Sequence, residues 1–255
     1  MRLVTVGTGA AAPDAARVNA GHLVAADDVR LLLDCGSGVV HRMAQLGLDW
    51  AGVTHLALTH FDADHTSDVA TLFVAFRYGQ LPPRAEPLDV IGPPGTRAKL
   101  EQLAAALWDK LLAPGFEVRV HELPFGGAME LAPGVTLSSR KVPHTDESVA
   151  YCVERAGRRL VYTGDTAFDR SLGEWAAGCD LLLCECSLPA AMAVASHLTP
   201  EGVGQLAAVA RPRHVALTHF YPPVERVDAV GIVAAAYDGP VTMAFDGWTH
   251  EIEDG

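Results

Sequence analysis

The chain has 255 residues, of which 49% are hydrophobic and 20% charged, with a formal net charge of −12. That composition excludes a disordered chain. The acidic balance argues against broad electrostatic binding to nucleic acid, which needs a basic surface.

The elements follow in chain order. Met1 to Gly7 reads as a strand (Leu3 to Val6) entering a turn, without the apolar core and cleavage site of a signal peptide. His22 to Ala26 and Val29 to Leu33 are strands joined at Asp27-Asp28. Gly7-Thr8-Gly9 is a turn and not a phosphate loop, since no Gly-Lys-Ser/Thr follows. Val39 to Leu46 reads as a helix stopped by Gly47. A strand at His55 to Leu58 precedes a helix over Asp68 to Tyr78. Pro82, Pro83 and Pro87 mark a loop. Leu88 to Ile91 is a strand, and Thr96 to Leu112 an amphipathic helix. Glu117 to Val161 reads as antiparallel sheet with turns at Gly126-Gly127, Pro133-Gly134 and Gly157. Strands then fall at Leu181 to Cys184, His214 to Leu217 and Val241 to Ala244, with helices near Pro200 to Ala210 and Val224 to Tyr237. No linker interrupts this order. It predicts one compact α/β domain over residues 1–255, a four-layer αββα sandwich. No run reaches the roughly 18 apolar residues of a membrane span.

The five cysteines, Cys35, Cys152, Cys179, Cys184 and Cys186, are odd in number and lack a Cys-x-x-Cys pair. This usage predicts a reduced, cytoplasmic protein. Alternation sends Cys184 and Cys186 to one face, toward the core.

The densest chemistry lies at Thr59-His-Phe-Asp-Ala-Asp-His65, directly after an apolar strand. His60, Asp62, Asp64 and His65 offer imidazole and carboxylate ligands within six positions, a donor set that suits zinc, iron or manganese. The plain alternative is a solvated acidic turn. His55-Leu-Ala-Leu-Thr-His-Phe61 recurs as His214-Val-Ala-Leu-Thr-His-Phe220 with one change. We read two related halves, each presenting a histidine, His60 and His219, at a strand end. His144 and Asp165 also follow extended segments. Alone, the first reads equally well as a loop residue and the second as a helix cap.

Taken together, these pieces resemble the metallo-β-lactamase superfamily, ribonuclease Z-like branch, over essentially the whole chain. The resemblance is carried by Gly7-Thr8-Gly9, Asp34-Cys35-Gly36-Ser37-Gly38, Thr59-His60 to Asp64-His65, His144, Gly164-Asp165-Thr166 and Leu217-Thr218-His219-Phe220. It implies two divalent ions, zinc first, with manganese or iron as alternatives. His60, Asp62 and His144 would hold one ion, and Asp64, His65 and His219 the other. Asp165 would bridge them, and Asp34 would orient a ligand. The family pattern is His-x-His-x-Asp-His, and Asp62 stands where its second histidine belongs. Flavodiiron proteins carry a carboxylate there, which raises a diiron redox reading, but this chain has no flavodoxin-like part. A non-catalytic metal-binding homologue is a further alternative. Three ligand carboxylates against two divalent ions leave a core of about +1, less attractive to anions than the family's usual set.

The resemblance implies hydrolysis by a metal-bridging hydroxide of a small phosphodiester, sulfate ester or lactone, with Asp64 in the catalytic centre. His197, with Glu185 as its partner, would be a proton donor to the leaving group. Only 20 residues separate His144 from Asp165, too few for the tRNA-gripping arm typical of ribonuclease Z. A small-molecule substrate is expected, with no membrane or nucleic-acid partner. Pairing into a homodimer is compatible with this.

Overall fold

A computed structural model describes residues 1–253. Two seven-stranded mixed sheets lie face to face with helices on their outer sides, so the αββα sandwich expected from the sequence is the observed architecture.

The first sheet contains β1 (Arg2–Gly7), β2 (Gly21–Ala26), β3 (Val29–Leu33), β4 (His55–Ala57), β5 (Leu88–Gly92) and β6 (Val118–Glu122). The second begins with β7 (Ala128–Ala132), β8 (Val135–Lys141), β9 (Val149–Arg155) and β10 (Arg158–Tyr162). It continues through β11 (Leu181–Glu185), β12 (Val215–Thr218) and β13 (Val241–Met243). A last strand, β14 (Thr249–Glu251), returns to pair with β1. The orders are β14-β1-β2-β3-β4-β5-β6 and β13-β12-β11-β10-β9-β8-β7. From β3 to β6 and from β10 to β13 the strands run parallel.

The strands read as near-continuous apolar runs because both of their faces are covered. In β3, Leu31 and Leu33 enter the core between the sheets, while Leu32 faces the outer helices. In β11, Leu181 and Leu183 point inward and Leu182 and Cys184 outward. Cys184 and Cys186 share that outer cluster as expected, and all five cysteines are free and buried. The first outer layer holds α1 (Val39–Gln45), α2 (Ala63–Thr66), α3 (Val69–Tyr78) and α4 (Thr96–Leu107), and the second holds α5 (Arg170–Trp175), α6 (Pro200–Ala210) and α7 (Ala229–Ala234).

Four local expectations need correction. The stretch from Glu117 is not all antiparallel: β6 pairs parallel to β5, because α4 is a crossover that returns the chain to the same edge. The helix expected to reach Leu112 stops at Leu107, where Trp108 turns extended and sets its ring 6.1 Å from that of Tyr78. The helix expected over Val224 to Tyr237 is a short turn at Val224–Arg226 followed by α7, which restarts where Asp228 accepts from the Gly231 amide. Strand β14 has no apolar run to announce it; its backbone pairing with β1 defines it.

The repeated heptapeptides fall on β4 and β12, each between two parallel neighbours. β4 is the second strand of its parallel run and β12 the third, so the sequence repeat is offset by one strand in the topology. No helix among the described residues is long and apolar enough to cross a membrane.

Candidate metal centre

The loops that leave β4, β8, β10 and β12 converge at one end of the sandwich. Among the groups of ligand atoms there, two share Asp165, one of Asp64, His65, His219 and Asp165, the other of His60, His144 and Asp165; a third, of Glu185, His197 and His219, adjoins them. Asp165 Oδ1 lies 3.3 Å from His65 Nε2, and its Oδ2 lies 3.2 Å from His219 Nε2. The same Oδ2 is 3.9 Å from both His60 Nε2 and His144 Nε2. Asp64 Oδ2 stands 3.3 Å from His219 Nε2.

Each of the four histidines has its outer nitrogen engaged and turns Nε2 inward. His65 Nδ1 donates to Asp34 Oδ2 at 2.8 Å. His60 Nδ1 donates to Thr59 Oγ1 at 2.9 Å, and that hydroxyl donates onward to Asp34 Oδ2. His219 Nδ1 donates to Ser187 Oγ at 2.9 Å, and Ser187 in turn donates to Glu185 Oε2. His144 Nδ1 donates to the Ser196 carbonyl at 3.1 Å. Such partners fix the tautomer and leave the Nε2 lone pair for a cation.

The donor set passes a direct test of fit. His60 Nε2 and Asp165 Oδ1 are buried and have no hydrogen-bond partner. Buried polar atoms left bare are costly, and here they face other Lewis-basic atoms. One or two divalent cations would satisfy them all.

The electrostatics agree. Burial pushes His60 down to about 4, with the neighbouring His65 charge adding to it. Burial alone would also depress His65, but Asp165 and Asp34 hold it well above its ordinary value. Burial would raise Asp165, but the surrounding imidazoles, His219 and His65 first, pull it well below the usual carboxylate range. It therefore stays ionised.

Backbone conformation serves the same convergence. Asp34 and His219 adopt left-handed φ of 58° and 60°, a conformation that costs energy and concentrates at functional sites. A Cβ at Gly36 would overlap the Asp64 carbonyl at 1.9 Å, so only glycine lets the strand-end turn lie against the ligand loop.

Asp34 is a hub. It is fully buried and also accepts from the Thr59 amide at 2.8 Å and the Tyr162 hydroxyl at 2.9 Å. Asp34→Asn would keep the left-handed backbone but set an NH₂ against the three donors at Oδ2. We expect metal affinity, read by competition with a chelator, to fall roughly 10- to 100-fold. Unchanged affinity would reduce Asp34 to a structural turn residue.

Asp62 occupies the rim. Its side chain is 52% exposed, with Oδ2 3.6 Å from His60 Nε2 and 3.3 Å from His144 Nε2. It sits outside the tighter His60, His144 and Asp165 group. Glu185 is fully buried, and His197 Nδ1 lies 3.2 and 3.1 Å from its two oxygens. Burial lowers His197, but the bond to Glu185 outweighs it and raises the imidazole above its ordinary value.

Three partners escaped the sequence reading: Ser187, the Ser196 carbonyl and Tyr162. Ser187 carried a signal, since it lies two residues past Glu185 at the end of β11. The backbone carbonyl carried none. Outside the ligand set, His22 lies buried in β2, edge-on to Tyr162 at 4.8 Å, and burial pushes it to about 3.

The fold and the convergent side chains define a protein with a His/Asp cluster able to hold metal ions at one end of a two-sheet sandwich. A family model described as the beta-lactamase superfamily domain matches residues 29–220, and the chain belongs to that superfamily, in its metallo-β-lactamase fold. It is 28% identical to a ribonuclease Z of Haloferax volcanii, covering 99% of this chain and 95% of the relative. The metallo-β-lactamase fold protein YhfI of Bacillus subtilis superposes with a TM-score of 0.84 at 21% identity, over 98% of each chain. The short form of human tRNase Z superposes with a TM-score of 0.82 at 21% identity, over 99% of this chain and 100% of that one.

Proposed function

We propose that the protein is a metallohydrolase that uses two divalent ions to cleave a small ester-type substrate. One observation carries this reading: four imidazoles turn Nε2, and two carboxylates turn oxygens, onto a buried space in which His60 Nε2 and Asp165 Oδ1 have no other partner. His60, His144 and Asp165, with Asp62 at the rim, would hold one ion. Asp64, His65, His219 and Asp165 would hold the other. Ions bound there supply a nucleophile by lowering the pKa of water to about 7 and polarise the scissile group. The chain's own residues do the rest. Asp34, Thr59 and Ser187 orient the imidazoles. Glu185 orients His197 and keeps its proton available for the leaving oxygen. Zinc fits the imidazole donors, and the carboxylate at position 62 favours manganese or iron more than a third histidine would.

A small substrate is favoured over tRNA. The span between His144 and Asp165 is a tight hairpin of β9 and β10, turning at Ala156 and Gly157 with φ of 50° and 74°. The alignment with the Haloferax volcanii relative has 314 positions against 255 residues here, so at least 59 of its positions have no counterpart. The buried free cysteines fit the cytoplasm.

The exposed carboxylate of Asp62 also supports a second reading, an oxygen-handling diiron protein. Elemental analysis of protein purified without chelators, followed by chromogenic phosphodiester, sulfate-ester and lactone substrates, separates the two. Two ions per chain with turnover of an ester class is the expected result. Iron with an oxygen-sensitive visible spectrum and no hydrolysis would establish the second reading instead.

A further inference from the structure

The metal centre continues into a groove that the mechanism above leaves unused. Beside His144 is a cavity of about 440 Å³ with Pro143, Ala167 and Ala195 in its wall. A second cavity of about 510 Å³ shares Pro143 and extends past Val142 to Phe168. Phe168 is 44% exposed although its ring is wholly apolar. On the other flank, residues 190–195 read Ala-Ala-Met-Ala-Val-Ala, and every one is exposed. This run lies between Ser187 and Ser196, each of which holds a ligand histidine. A solvent-facing apolar run of this length is a liability unless something covers it in use.

The groove's two cations are engaged with neighbouring groups. Lys141 Nζ donates to the carbonyls of Val142 at 2.9 Å and Thr145 at 2.5 Å. Arg170 Nε donates to Glu174 at 3.0 Å. Asp146 and Asp169 stand in the same walls. A phosphate or sulfate would meet the Asp146 and Asp169 carboxylates, with Lys141 Nζ turned onto backbone carbonyls and Arg170 Nε paired with Glu174.

We propose that this groove takes the apolar acyl chain of a neutral carboxylic ester, with the ester carbonyl at the metal centre and the chain running past His144 toward Phe168. The proposal rests on the metallohydrolase reading and narrows its substrate. In the reaction the oxygen of water bonds to the acyl carbon and the acyl C–O bond breaks. The departing alkoxide takes a proton, and a carboxylic acid and an alcohol leave.

The test is a chain-length series, 4-nitrophenyl acetate, butyrate and octanoate, with the metal-loaded full chain. A methylene on an open apolar wall contributes roughly a factor of two. The expected kcat/KM for octanoate is therefore about tenfold or more above that for butyrate. Phe168→Ser removes the far wall and Ala195→Trp fills the near end. Each should bring that ratio to within about twofold of unity while metal content stays at the wild-type value. Equal kcat/KM along the series, or faster turnover of bis(4-nitrophenyl) phosphate than of every ester, overturns the proposal. Calorimetric binding of octanamide to metal-free protein keeps the two readings separable. Octanamide binding that the same substitutions weaken, with no ester turned over, supports the groove and sinks the hydrolase. Ester turnover with no octanamide binding sinks the groove alone.

Discussion

Asp165→Ala should empty the whole metal centre, leaving well under one ion per chain against the two proposed for the wild type, and lower hydrolysis by about 10⁴-fold or more. The reason is geometric. Asp165 Oδ1 faces His65 and its Oδ2 faces His219, His60 and His144, at 3.2 to 3.9 Å. No other side chain among the described residues belongs to both of these groups. Without it, ions bound there would lose the ligand common to both groups and a buried negative charge that offsets their own. His144→Ala is the contrasting case, since it removes one terminal ligand from one group, and about one ion should remain. Stoichiometry by elemental analysis, with circular dichroism to verify folding, reads both. Two ions retained by folded Asp165→Ala protein would show that the two groups do not share this carboxylate.

Why so much of this centre was legible in the sequence can be argued from particular residues. Ligands at the ends of parallel strands follow apolar runs, so His60 after β4 and His219 after β12 announce themselves. A strand end fixes the backbone, and the layered fold brings such ends to one edge. The near-identity of the two heptapeptides nevertheless misleads about the residues around them. Thr59 bonds both His60 Nδ1 and Asp34, whereas Thr218, its counterpart, has a buried hydroxyl with no partner. The role passes to Ser187, on the segment after the neighbouring strand, which the parallel pairing of β11 with β12 brings beside His219. Pairing between strands far apart in sequence decides this, and local pattern does not record it. The same holds for β6, whose short run reads as readily antiparallel as parallel until the α4 crossover is known. It holds again for His144, which is oriented by a backbone carbonyl 52 residues away.

His197→Ala should leave both ions in place yet slow the hydrolysis of alkyl esters about 10²- to 10⁴-fold. Its imidazole stands beside the metal centre, 13% exposed, with Nδ1 held by Glu185 and the ring 4.8 Å from that of His144. Glu185 is anchored in turn by the Thr166 amide and the Ser187 hydroxyl, so the pair is rigid. With Nδ1–H donated to that buried carboxylate, Nε2 is the atom left to carry a transferable proton. The bond to Glu185 raises the imidazole's pKa above its ordinary value. The proton is thus held to higher pH than on a free imidazole, and the acid contribution should fade as pH rises past that point. An alkoxide leaving group needs that proton, whereas a nitrophenolate departs without it. The loss should therefore be large for an alkyl ester and within about tenfold for its nitrophenyl counterpart. Glu185→Gln should reproduce the pattern more weakly, with the alkaline limb moved to lower pH because the imidazolium loses its counter-charge. Equal losses for the two esters would make His197 a positioning residue, and loss of metal in the His197 variant would make it a ligand.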